Sequence, residues 1–173
     1  MLEVAVTAAD HAVGPATARV TVVEYGDFEC SYCRIAYGAM KILLEHYGPQ
    51  VRFVYRHYPM ANWHPSAEPA AECAEAAAAQ DRFWQMYRML YEHPQGLKPD
   101  ALRHYAGMMG LDLDRYDSDM STHRHLPHIR ADQHGGTRCR VRGTPSFFVN
   151  GTVQDVTFGM ERLQRAIDSA LAA

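Results

Sequence analysis

No stretch of this chain approaches the roughly 18 to 20 consecutive apolar residues needed to cross a bilayer, so membrane insertion is not expected. An excess of charge is missing too. Seventeen Lys and Arg against 20 Asp and Glu leave a formal net charge of -3, which gives no reason to expect a nucleic-acid partner. Internal repeats and low-complexity tracts are absent, which sets solenoids and disordered arrays aside. Residues Met1 to Asp10 carry charge too early, and too little apolar length, for a secretory signal. The expected location is the cytoplasm, or an exported compartment if the chain is the mature domain of an exported protein. Cysteine is sparse, with four among 173 residues. What is plentiful is apolar content, 47% against 21% charged, enough for one good core and one domain with an insertion.

Two of the four cysteines stand close together in Cys30-Ser31-Tyr32-Cys33, and Gly143-Thr144-Pro145-Ser146 follows more than a hundred residues later. The first motif supplies two thiols able to close a small disulfide; the second sets a proline just before an apolar strand. Either alone is weak, because Cys-x-x-Cys also begins zinc sites and Thr-Pro is common in turns. Together they point to thiol-disulfide chemistry. A zinc ribbon is disfavoured, since no second Cys-x-x-Cys or His-x-His partner follows at the usual distance.

Val20-Thr21-Val22-Val23-Glu24-Tyr25 is a β-branched run of the kind that fills a buried strand, and it leads straight into the cysteines. Ala36, Met40, Leu43 and Tyr47 then recur at helical spacing until Gly48-Pro49 stops the helix. The pair therefore sits where a strand becomes a helix. There Cys30 meets unpaired backbone N–H groups and the positive end of the helix dipole, which favour thiolate. Cys30 is the expected nucleophile, and Cys33, one turn further in, the less exposed resolving thiol. Asp27 and Glu29 add negative charge nearby, which opposes the dipole. Ser31 and Tyr32 tune the pair, and Tyr32 either meets a peptide substrate or merely covers Cys33.

Val51 to Tyr55 reads as a second strand, so the opening is a β-α-β unit with parallel strands. From about Pro65 to about Arg138 the pattern is helix after helix: around Ala70 to Ala79, Phe83 to Glu92, Pro99 to Gly110, Asp112 to Thr122, and beyond Pro127. Ser146 to Val149, the Asn150-Gly151 turn and Thr152 to Val156 carry a hairpin signal. A closing helix from about Met160 to Leu171 sets Leu163, Ile167 and Leu171 on one face. Residues 18–60 and 139–173 are expected to form the sheet-bearing domain, with 61–138 a helical insertion.

In these motifs the chain resembles the thioredoxin superfamily, and more closely its DsbA-like branch of thiol-disulfide oxidoreductases. The resemblance covers nearly the whole chain. It rests on Glu24-Tyr25-Gly26-Asp27-Phe28-Glu29-Cys30-Ser31-Tyr32-Cys33 and on Val141-Arg142-Gly143-Thr144-Pro145-Ser146-Phe147-Phe148-Val149-Asn150-Gly151. Phe83-Trp84-Gln85-Met86 looks like the helix that opens part of the family's insertion. The resemblance implies an α/β, thioredoxin-like fold with a helical domain inserted between the β-α-β half and the β-hairpin-α half. It also implies that Pro145 is the family's cis-proline and that Thr144 and Pro145 shape the substrate face. Substrates would be protein or peptide thiols and disulfides, an unidentified redox partner would recycle the pair, and no cofactor is expected.

Alternation places Glu24 on the side of Val22, facing the interior, where a carboxyl beneath a redox pair can exchange a proton with Cys33. The family resemblance matches an acidic residue to this place. The competing reading pairs Glu24 with a Lys or Arg at the sheet edge. Some DsbA-like proteins carry a second disulfide in the helical region, which makes Cys73 and Cys139 a candidate pair; a small buried apolar role is the commoner fate. His123-Arg124-His125-Leu126-Pro127-His128 lacks a familiar ligand interval and is broken by Pro127, so a solvated face without metal is expected. The methionines fill the insertion's core or border a peptide groove. Other functions stay open: a reductase or isomerase on the same fold, a non-redox metal- or peptide-binding protein, or a kappa-class glutathione transferase relative, against which Cys33 argues.

Overall fold

The computed structural model describes residues 1–173 apart from Phe158. β1 (His11–Val13) is followed by β2 (Val20–Gly26), α1 (Ser31–Tyr47), a 3-10 turn at Gly48–Gln50 and β3 (Val51–His57). The helices α2 (Ala67–Ala78), α3 (Phe83–Glu92), α4 (Pro99–Met108), α5 (Leu113–Ser121) and α6 (Leu126–Arg138) come next. β4 (Ser146–Val149), β5 (Thr152–Gln154) and α7 (Glu161–Ala172) complete the described order. The sheet runs β1-β3-β2-β4-β5; β2 and β3 are parallel and the other neighbours antiparallel. The α/β thioredoxin-like arrangement, with helices between the β-α-β and hairpin halves, is the one the sequence led us to expect.

Alternation along β2 divides the interior. Val20 and Val22 face one core with Cys33, Ala36, Met40 and Leu43 of α1, and with Leu163 and Ile167 of α7. Val23 and Tyr25 face a second, smaller core with Val54, Phe148, Cys139 and Val141, covered by Leu2, Val4 and Val6 of the N-terminal segment. The close approach of α6 to this face requires Gly136, where a Cβ would lie 2.7 Å from Tyr58 Cδ2. Burying the apolar area of these two layers is the main favourable contribution to the fold.

Some boundaries differ from the sequence reading. The three-residue β1 has no periodicity of its own; it forms because the free edge of β3 offers N–H and C=O groups that need partners. Pro127 opens α6 rather than interrupting a helix, since its missing N–H costs nothing in the first turn. β5 stops at Gln154, short of Val156, and the Asp155 carboxylate accepts from Thr157 N at 3.0 Å to begin a turn. All four cysteines are free thiols. The Cys73–Cys139 pairing is not made: Cys73 lies in the larger core beside Met86 Sδ at 3.6 Å, and Cys139 lies in the smaller one, accepting from Glu3 N at 3.2 Å.

Candidate active site

The strand-to-helix junction places Cys30 as the residue that caps α1, in extended backbone, with Ser31 as the first helical residue. The cap position leaves the N–H groups of the first turn free to point at a sulfur anion. The Cys30 thiol is pulled down to about 5. A hydrogen bond from the Cys33 thiol lowers it most, burial opposes, and the Thr144 side chain and the Cys33 and Tyr32 backbone N–H groups add to the lowering. As a thiol, Cys30 donates to the Thr144 carbonyl at 3.3 Å, the one contact here that favours the protonated form. Thr144–Pro145 is a cis peptide bond, and Ser146 Oγ closes the loop on Gly143 O at 2.7 Å.

Cys33 is fully buried. Burial pushes its thiol well above the ordinary value, helped by its bond to Cys30 and the nearby charges of Glu24 and Cys30. The two thiols are therefore displaced in opposite directions, as expected for an attacking and a resolving cysteine.

Glu24 lies in β2, aligned with Tyr55 of β3 on one side and Phe147 of β4 on the other. It is wholly buried, and neither carboxylate oxygen has a hydrogen-bond partner among the described residues. The expected alternative, an ion pair at a sheet edge, is ruled out because β2 is the central strand. Burial, with a smaller contribution from the Cys30 charge, raises its carboxyl to about 8. Burial holds the hydroxyls of Tyr55, Tyr87 and Tyr91 up, and the charge of Glu24 is one of the smaller influences in the same direction.

The negative charge of Asp27 and Glu29 is more fully compensated than the sequence suggested. Asp27, buried, accepts from Glu29 N at 2.8 Å, Met60 N at 2.9 Å and His64 Nδ1 at 2.7 Å. Glu29 accepts from Ser66 N at 2.6 Å. Burial works against a charged His64, yet its bond to Asp27 and the charges of Asp27, Cys30 and Glu29 raise its pKa overall. His64 is the functional candidate that sequence reading missed. No local pattern marks it, because the imidazole arrives from the loop after β3, 37 residues beyond Asp27. Tyr32 and Ser31 are exposed. Tyr32, Ile35, Arg142, Thr144, Pro145 and Met160 help line a groove of about 740 Å³ beside the cysteines. No helix among the described residues is long and apolar enough to cross a membrane.

The thioredoxin family model matches residues 6–169. The chain is 44% identical over 163 residues to the Na+/H+ antiporter NhaA 1 of Salinispora arenicola, covering 94% of this chain and 25% of that protein. To the antiporter NhaA of Herminiimonas arsenicoxydans it is 37% identical over 142 residues, covering 82% and 22%. It thus spans about a quarter of the length of the curated relatives it matches. A thioredoxin-like oxidoreductase from Silicibacter pomeroyi is 29% identical, with a TM-score of 0.83 over 95% of this chain and 93% of that one. Oxidised BdbD from Bacillus subtilis has the same fold at 19% identity, with a TM-score of 0.83 over 94% and 92%. Family match and fold agree, and the chain belongs to the thioredoxin family.

Proposed function

We propose that the chain is a thiol-disulfide oxidoreductase acting on protein or peptide cysteines, with Cys30 as nucleophile, Cys33 as resolving thiol and Glu24 as proton carrier. One observation carries the reading: a helix-capping Cys30 poised as thiolate beside the Thr144–Pro145 loop, above a sealed Cys33 that stays protonated. In the oxidising direction a substrate thiolate attacks Cys30 Sγ and the Cys30–Cys33 bond breaks. Cys33 leaves as thiolate and takes the proton of Glu24. A second substrate thiolate then attacks the substrate sulfur of the mixed disulfide and expels Cys30 as thiolate. The substrate gains a disulfide and loses two electrons, which the dithiol carries to a recycling partner.

Ser31, Tyr32, Thr144 and Pro145 serve as the substrate face, with the groove beside them receiving the flanking peptide. Residues 61–138 are the helical insertion on the redox unit formed by 18–60 and 139–173. A thiolate stabilised to about 5 favours the reduced pair and supports the oxidase or isomerase direction, with a potential near about -180 mV. Equilibration in glutathione buffers, read by alkylation and mass, tests this; a value near about -270 mV would make the protein a reductase. Cys30→Ser is expected to abolish oxidation of a dithiol peptide, and turnover retained in that variant would remove the reading.

A further inference from the structure

Away from the redox pair, three imidazoles from three elements converge on one carboxylate. Glu75 of α2 is buried, and its Oε1 lies 2.5 Å from His11 Nε2 of β1 and 2.8 Å from His57 Nε2 at the end of β3. His128 Nε2 of α6 lies 3.8 Å from the same oxygen. One donor atom each from His11, Glu75 and His128 lie within 4.8 Å of one another. His57 is almost fully buried, and its Nδ1 has no hydrogen-bond partner among the described residues. Asp132, one turn beyond His128, lies 4.0 Å from its Nε2 and accepts from His57 N at 3.0 Å. The His11 ring is held by stacking on Phe83, with centroids 3.5 Å apart. None of these groups takes part in the thiol chemistry.

We propose that His11, Glu75 and His128 form a binding site for a divalent transition-metal ion of the zinc class. Two imidazoles and a carboxylate are a borderline donor set that suits zinc and its neighbours, whereas calcium and magnesium take oxygen ligands. Tetrahedral zinc at about 2.0–2.1 Å from its ligands sets donors roughly 3.3 Å apart. The observed atoms straddle that spacing, so the ion enters by opening the His11–Glu75 contact and drawing His128 in. His57 then holds Glu75 in place, and Asp132, which accepts from His57 N, braces His57. A cavity of about 190 Å³, bordered by Asp10, Arg56, His128 and Asp132, adjoins the cluster and has room for a water in the fourth position. The ion acts as a clasp, fastening β1 and the insertion's α2 and α6 to one another across the end of β3.

Sequence spacing conceals such a site, because its ligands stand at 11, 75 and 128. The neighbouring histidines of the sequence run turn elsewhere: His123 Nδ1 lies 3.0 Å from Glu72 and His125 Nε2 lies 3.1 Å from Asp119. The test is titration of Zn2+ into the full chain carrying Cys30→Ser and Cys33→Ser, which removes the competing thiolates, with Co2+ as a visible-absorption probe. One ion per chain is expected, with ligand-field bands of a four- or five-coordinate nitrogen and oxygen site and no thiolate charge-transfer band. His128→Ala and His11→Ala should each weaken Zn2+ binding at least ten-fold, and Asp132→Asn by a smaller factor. His128 is partly exposed on α6, so its variant decides alone if His11→Ala fails to fold by circular dichroism. Absence of stoichiometric binding, a thiolate band, or affinity unchanged in His128→Ala would overturn the site. Redox turnover is not the readout, so these outcomes stand apart from the proposed function.

Discussion

Glu24 and Arg56 occupy neighbouring strands of one sheet, both almost entirely out of water, and are accommodated in opposite ways. The Arg56 guanidinium donates to Asp10 Oδ1 at 2.6 Å, Asp10 Oδ2 at 3.2 Å, Val4 O at 3.0 Å, Ala5 O at 2.9 Å and the Tyr25 hydroxyl at 3.0 Å. Glu24 has no hydrogen-bond partner among the described residues. On the Arg56 side a buried charge is kept because each donor finds an acceptor, and the result ties the N-terminal segment to the sheet. On the Glu24 side the absence of partners makes the ion costly, and burial pushes the carboxyl up to about 8. Neighbouring strands of one sheet thus carry a buried charge that is fully paired and a buried acid that is not.

Arg56→Met should break the first half of this contrast most severely, because it leaves the Asp10 carboxylate buried without its counter-ion. A loss of about 3–5 kcal/mol in urea unfolding is expected; a loss below about 1 kcal/mol would mean the network is not holding the N-terminal segment. Glu24→Leu should move stability the other way, by a gain of about 1–3 kcal/mol, while slowing release of mixed disulfides. A variant both less stable and fully active would erase the distinction.

The pH dependences have opposite signs. Glu24 titrates near 4.5 unfolded and about 8 folded, so the native state keeps its proton longer and stability falls as pH rises through that window. Subtracting the Glu24→Gln curve from that of the parent should isolate this slope, levelling off above about 8. Asp10 is resisted by burial, but its bonds to Arg56 and Thr7 leave it below 3.8. Its contribution is complete above 3.8 and is lost as pH falls through the folded value. In kinetics, Glu24→Gln should flatten the pH profile of mixed-disulfide release; a profile identical to the parent's would remove the proton-carrier role. The smallest effect is expected at Arg103, whose fork on Asp117 is exposed despite contacts of 2.9 to 3.1 Å. Arg103→Ala should leave the urea midpoint within error, showing that burial, not the number of bonds, separates the cases.

Local signals carried much of the fold. The β-branched run, the apolar spacing behind Cys33, Pro99 at a helix start and the Asn150-Gly151 turn each act over a few residues, and each element formed where its signal lay. Thr144-Pro145 and the Cys30–Cys33 pair were legible because turn and spacing chemistry are local too. What stayed hidden depends on contacts between distant segments. β1 exists only because β3 has an open edge, His64 reaches Asp27 from a loop 37 residues on, and Arg56 finds Asp10 across 46 residues. Alternation put Glu24 inside but left its partner undetermined, since strand order, and hence which strand is central, is not written in any single strand.

The sheet's two long strands are internal, and each of its edges is only three residues long. An edge that short presents too few free N–H and C=O groups to template a further strand. If the chain cycles through covalent linkage to unfolded clients, it holds by one sulfur the very molecules most prone to cross-strand aggregation. Brief edges leave that sulfur as the point of attachment, so a client can depart as soon as its second thiol acts.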